Sequence, residues 1–392
     1  MTAVLATPVG VRDEVVAIGG ADRLEATEWN RLARRGFHLH QWFTGAERCG
    51  WNPRHVAVLG GGRIKAIVPA YLTRARSPHD LHHRWLGPLR DVAPLAGVSL
   101  RPLLSVQAPF AQTSDALGDL SGLSSGILHE VFYELEQTAE REGAKAVAWP
   151  FVAAESDHLI EVARERGYAV LYAGVTAVLP IQWPSFEDYL SSRSKNVRRT
   201  IRSDLAAMHS AGLRTTLVSD FQYEASAMDR LYREAFRLRN GREAPLSSDL
   251  FQQLGRRPTP SIRAHHTWRG DRLVGTSLNL TTTELADGTF AAFLPEHRGG
   301  PVYYNDLCYE PIRVATREGV EALDLGATAL YAKVLRGARL RRRVILIRGT
   351  TPVRHRLLSA LGQLVAIRTE QKEQQVLEPL GGLRHFLQEE SA

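Results

Sequence analysis

Apolar positions in the first half of the chain alternate between two periods, and those periods predict a helix followed by a strand. Ile127, Leu128, Val131, Phe132, Leu135 and Ala139 recur at helical spacing, Gly143 closes that helix, and residues 146–152 read as a buried strand. Upstream, residues 54–59 and 64–73 flank a glycine-rich turn as a hairpin, with Pro69 marking an edge or a bulge. A helix is expected over 28–37, ending near Gly36. Residues 74–126, rich in proline, histidine and glycine, read as a long irregular excursion able to cover a cleft. A helix over 155–166 and one or two strands over 168–179 complete a first α/β unit. Pro180 and Pro184 bracket a linker.

The pattern then restarts. Val197, Ile201, Leu205 and Met208 stripe a long helix over 186–211, and a strand (213–218) and a helix (222–239) follow. Residues 240–260 connect to a second hairpin, 262–268 and 272–282, and a further strand at 289–294. Residues 303–343 carry a polar strand, a helix, an apolar strand ending at glycine, and Lys333 in a basic tail. Ala139, Arg141, Glu142, Gly143 and Ala146 match Ala315, Arg317, Glu318, Gly319 and Ala322 at an offset of 176 (315 minus 139). Each copy has a hairpin upstream in the same order, which implies a duplicated α/β fold divided at 182/183.

Composition narrows the class. Hydrophobic residues at 44% and charged residues at 23% of 392 fit a folded chain with a sizeable core. Two cysteines, Cys49 and Cys308, exclude a disulfide framework and point to a reducing compartment. With no leader pattern and no apolar run of spanning length, a cytoplasmic protein is expected. The net charge of +7 permits a polyanionic partner without requiring one. The histidine pairs lack carboxylate or cysteine partners at metal spacing, so no metal is expected. Walker, Rossmann and GxSxG patterns are absent.

The order hairpin, strand, helix, strand resembles the GNAT acyltransferase fold, and its doubling resembles the Fem-type aminoacyltransferases. Residues 304–310, YNDLCYE, are similar to the His-Phe-Glu-x-Cys-Tyr-Tyr pattern of FemAB-like N-acyltransferases. Asp306 takes the carboxylate position, Cys308 and Tyr309 are kept, and Tyr304 and Glu310 depart from it. Gly326, Ala327, Lys333, Arg336 and Gly337 follow the family's downstream Gly-Ala, Lys, Arg-Gly segment. The resemblance implies an α/β (α+β) fold of two tandem GNAT-like domains, 1–182 and 183–392. Each would hold a mixed, mainly antiparallel sheet flanked by helices.

N-acyl transfer needs an amine freed of a proton, donors for the developing oxyanion, and an acid for the leaving group. Asp306 is the candidate to orient or deprotonate the amine, although a helix cap or salt bridge would equally explain it. Lys333 is the candidate for phosphate or oxyanion charge. Tyr303, Tyr304, Tyr309 and Tyr331 offer phenols for the leaving group or for packing. Arg193, Lys195, Arg198, Arg199 and Arg202, with Arg336, Arg339, Arg341, Arg342 and Arg343, form a candidate phosphate-binding rim or simply solvated faces. No clean pyrophosphate loop of the acetyl-CoA type is present, since Pro301 removes a donor from HRGGPVYYN. That tilts the donor away from CoA, and the Fem-type resemblance implies aminoacyl transfer from aminoacyl-tRNA to an amine of a small molecule or peptide, with no further cofactor. The alternatives are acyl-CoA as donor, or a silent binding module on the same scaffold.

Overall fold

The computed structural model describes residues 13–74, 101–241, 243–244, 248–297 and 300–388. The first half contributes β1 (Glu14–Ile18), β2 (His55–Gly60), β3 (Arg63–Val68), β4 (Ala70–Thr73), β5 (Leu103–Val106), β6 (Leu117–Gly118), β7 (Ala146–Ala153) and β8 (Ala169–Pro180). The second contributes β9 (Leu213–Val218), β10 (Ile262–Arg269), β11 (Arg272–Thr281), β12 (Leu285–Phe293), β13 (Ala322–Asp324) and β14 (Arg339–Gly349). A ten-stranded sheet in the order β4-β5-β7-β14-β8-β13-β12-β11-β10-β9 runs through both halves, and β1-β2-β3-β6 form a smaller sheet. Pro69 separates them. It interrupts what the pattern reads as one strand over 64–73, leaving β3 in the small sheet and β4 in the large one.

The duplication is visible in the pairing. Ala146 opens β7 parallel to β5 at Leu103, and Ala322 opens β13 parallel to β12 at Leu285. Every other strand pair is antiparallel among the described residues. Gly143 and Gly319 both take a left-handed backbone, φ 64° and 69°, ending the preceding helix just before the strand. That conformation is costly for a residue with a Cβ, which explains why glycine stands at both places. Leu128, Val131 and Phe132 of helix Ser125–Arg141 pack under the first unit's strands, and Ile312 and Ala315 of helix Glu310–Glu318 pack under the second's.

The boundary expected at 182/183 divides the chain but not the sheet. β14, the last strand of the second half, inserts between β7 and β8, pairing Leu346 with Trp149 on one side and with Val170 on the other. Three local readings are corrected. Residues 28–37 are not one helix: Ala26–Asn30 is helical, and a second short turn spans Gly36–His38. Residues 186–211 form two helices, Phe186–Ser191 and Lys195–Ser210, because Ser194 caps the second through the Val197 amide at 3.4 Å. Residues 303–309 are helical, with Pro301–Tyr304 leading into a π-helical turn at Asn305–Tyr309. The expected excursion over 74–126 lies partly outside the described residues, and its later part supplies β5 and β6. No described helix is long and apolar enough to cross a membrane.

Candidate active site

β12 and β13 stay paired for only three residues, Leu285–Asp287 against Ala322–Asp324, and then part: β13 stops while β12 continues to Phe293. A cavity of about 140 Å³ fills the gap, lined by Asp287, Phe290, Tyr303, Asp324 and Lys333 of the second half and by Arg35, Phe110 and Gln112 of the first. Four described non-glycine residues hold positive φ, and three of them mark this site. Phe110 (61°) and Phe290 (49°) line the cavity, and Ala329 (52°) turns the chain into helix Leu330–Leu335, which carries Lys333. Such backbone costs about 1–3 kcal/mol per residue and concentrates where geometry serves function.

Arg35 closes one wall. Its guanidinium donates to Asp324 at 2.8 Å, to Asp115 at 2.8 Å, and to Asp287 by a very short contact. Arg35, Asp287 and Asp324 are all buried. Burial alone would lower the Arg35 pKa, but the three carboxylates hold it well above its ordinary value. Burial raises Asp287 despite that neighbour, and the Phe37 amide also donates to it at 3.2 Å. Asp324 accepts from the Gly326 amide at 2.8 Å, and Gln112 accepts from Ala327 N at 2.8 Å, so the loop after β13 is held from both halves.

Lys333 was read as part of a basic tail but is a buried residue on that short helix. Its ammonium donates to the Leu325 carbonyl, and at 3.4 Å to that of Gly326, which fixes the charge at the end of β13. Asp306 sits elsewhere. The helical turn that replaces the expected strand points it at the sheet, where it is fully buried against Gly275 of β11 and does not line the cavity. One oxygen accepts from Thr267 at 2.7 Å and from Asn305 at 3.1 Å, while the other has no hydrogen-bond partner among the described residues. Burial, only partly offset by those bonds, pushes the carboxyl up to about 7. Asp306 and Lys333 are thus not brought together, whereas Tyr303 and Leu307 of the same helical stretch do reach the cavity.

Tyr304, Tyr309 and Tyr331 lie outside the lining of this cavity. Tyr309 donates to Asp204 at 2.6 Å and accepts from Arg336 at 2.8 Å, and the Arg336 guanidinium stacks 3.9 Å over the Tyr304 ring. Tyr331 is exposed. The basic residues divide in two. Arg336 and Arg343 are buried and engaged, Arg343 with Thr176 at 3.0 Å, so neither belongs to an open rim. Lys195, Arg199, Arg202, Arg339 and Arg342 are exposed, Arg341 is half-buried, and Arg198 is half-buried with its guanidinium on the Arg193 carbonyl. The two stretches meet where Arg193 lies over Gly337: a Cβ there would stand 1.9 Å from its Nη1.

Arg35, Asp287 and Asp324 were missed in the sequence. A signal existed, because both aspartates interrupt apolar strands, LADGTFAAF and ALD. Nothing local, however, marks Arg35 as their partner. No cluster of three His, Cys, Asp or Glu suited to a metal occurs among the described residues.

Among solved structures the chain is similar to FemX, at 11% identity and a TM-score of 0.57, covering 87% of this chain and 99% of that one. It is also similar to the C-terminal domain of a putative lysylphosphatidylglycerol synthetase from Agrobacterium fabrum, at 13% identity and a TM-score of 0.53, covering 87% and 95%. A conserved protein of unknown function from Bacteroides thetaiotaomicron matches at 11% identity and 0.51, covering 83% and 98%. At such identities these likenesses speak for the fold. No curated protein matches. The model of the FemAB-like family, described as peptidoglycan biosynthesis/recognition, matches residues 21–348, and with that span the chain belongs to the FemAB-like family.

Proposed function

We propose that the protein is an N-acyltransferase that moves an aminoacyl group from aminoacyl-tRNA to an amine of a small molecule or peptide. The observation that carries this reading is Lys333, a buried ammonium held on two carbonyls in the cavity where β12 and β13 part. The acceptor nitrogen attacks the ester carbonyl, a C–N bond forms, and the oxyanion that develops is stabilised by Lys333. The ester C–O bond then breaks. The proton lost by the amine passes to the leaving ribose oxygen, with Asp287 orienting the amine and Tyr303 at the leaving group, both being residues of the cavity wall. The ester is already activated, so the chain supplies position and charge.

The exposed cations Lys195, Arg199 and Arg202, joined to Arg339 and Arg342 through the Arg193–Gly337 contact, support an RNA backbone. The test incubates the purified protein with a panel of amines and, separately, aminoacyl-tRNA or acyl-CoA. Amide product that forms only with aminoacyl-tRNA and is lost after nuclease supports the reading. Product that requires the thioester and survives nuclease overturns the donor, and product with neither donor overturns transfer. Reversing Lys195, Arg199 and Arg202 to glutamate should weaken tRNA binding and flatten its salt dependence.

A further inference from the structure

Helix Pro352–Leu377 is apolar on two opposite faces. One is covered by its own chain: Leu358, Gly362 and Ala366 are buried, and Leu358 packs with Leu171, Ile345 and Ile347 of β8 and β14. The seat is close, since a Cβ on Gly362 would stand 2.2 Å from Leu171 Cδ1. The other face is open. Val353, Leu364 and Ile367 are 76%, 60% and 44% exposed, Ala360 is exposed too, and Leu357 between them is half-buried.

The open row has a regular period. Val353, Leu357, Ala360, Leu364, Ile367 and Gln371 follow one another at alternating steps of four and three residues, the spacing of a coiled-coil seam. At about 100° per residue, the row lies on the side of the helix opposite Leu358, Gly362 and Ala366. Single exposed apolar residues are ordinary, whereas a row of about five turns marks an interaction surface.

Charge identifies the occupant. Arg356 and Glu370 stand on one edge of the row, both exposed and neither in an ion pair among the described residues. They lie seven residues to either side of Gln363. A two-fold axis crossing the helix at residues 362–363 therefore sets Arg356 of each copy beside Glu370 of the other. The same antiparallel register layers Ala360 on Leu364, Leu357 on Ile367 and Val353 on Gln371, and it opposes the two helix dipoles. Parallel pairing would instead set Arg356 against Leu361 and Glu370 against Gln375, leaving both charges unmatched. The second edge is less complementary: Arg354, which donates to Thr350 at 3.3 Å, comes near Arg368 of the second copy.

We propose that this face is a self-association surface, on which a second copy of the chain seats the same helix antiparallel. A helix pair of this length makes a small interface, so the dimer is reversible. No residue of the helix lines the cavity around Lys333, and the dimer is read without any transfer reaction.

Sedimentation velocity of the full chain tests it. From about 1 to about 100 µM, the mass should rise from that of one chain toward that of two. Leu364→Glu, at an exposed position, should stay monomeric with an unchanged circular dichroism spectrum. Arg356→Glu and Glu370→Arg should each weaken the dimer about tenfold, and the double reversal should recover it. Arg368→Glu, facing Arg354, should tighten it. A monomer at every concentration, a dimer that Leu364→Glu leaves intact, a double reversal no stronger than the single variants, or a weaker dimer in Arg368→Glu would each overturn the proposal.

Discussion

Arg35 and Asp324 stand 289 residues apart in the chain and 2.8 Å apart in the fold. With Asp287 they form a buried ionic joint between the two units, in the wall of the cavity that holds Lys333.

Replacing Arg35 by methionine keeps much of its volume and leaves two buried carboxylates without their cation. A loss of about 3–5 kcal/mol is expected, because a stranded buried charge costs more than the pair contributes. Urea denaturation measures it. Adding Asp287→Asn to the Arg35→Met chain should recover part of the loss, and lowering the pH should do the same by protonating the stranded carboxyls.

Gly36 lies against the backbone of β11. A Cβ at that position would stand 2.1 Å from the Leu280 carbonyl oxygen, and a backbone atom cannot swing aside as a side-chain end can. Gly36→Ala should cost about 3 kcal/mol or displace the turn that presents Arg35. Thermal unfolding of this variant should track that of Arg35→Met, since both loosen the same joint.

Asp306 keeps its proton up to about pH 7 when folded, far above the ordinary carboxyl value of 3.8. The folded state therefore binds more protons than the unfolded one between those values, and stability falls as pH rises through that window, by up to ~4 kcal/mol. Asp306→Asn should melt at the wild-type temperature near pH 4 and above it at pH 8. If Asp306 instead acts on substrate, transfer will vanish in this variant while its stability at pH 8 rises, and the two readouts separate those roles.

Lys333→Met retains the methylene chain and removes the ammonium. Transfer should drop by about 10²-fold or more in kcat, with little change in the KM of the amine, since a charge placed for the oxyanion acts chiefly in the transition state. Steady-state kinetics checks this, with a urea melt to show that the fold persists.

The duplicated elements were legible because each rests on local pattern. The matched segments at Gly143 and Gly319 end helices in left-handed backbone and start strands at Ala146 and Ala322, as their shared letters implied. The misreadings fell where local pattern is ambiguous. Residues 303–309 mix aromatic and polar side chains in a way that suits a strand, but Pro301 at a helix start and packing on β10 and β11 wind them into a helix with a π turn. The same winding turns Asp306 inward. The arginines of 339–343 look alike in the sequence, yet strand alternation and insertion between β7 and β8 bury Arg343 and leave Arg342 exposed.

The sequence by itself determined the family, the doubling and the class of most elements outside 303–349, because periodicity, glycine stops and motif spacing are properties of short stretches. Tertiary structure alone decided which polar residues share a cavity. Arg35, Gln112, Asp287, Asp324 and Lys333 converge only after β12 and β13 part and the first unit docks against the gap. Contacts across hundreds of residues depend on packing and desolvation, and these leave no local trace in the chain.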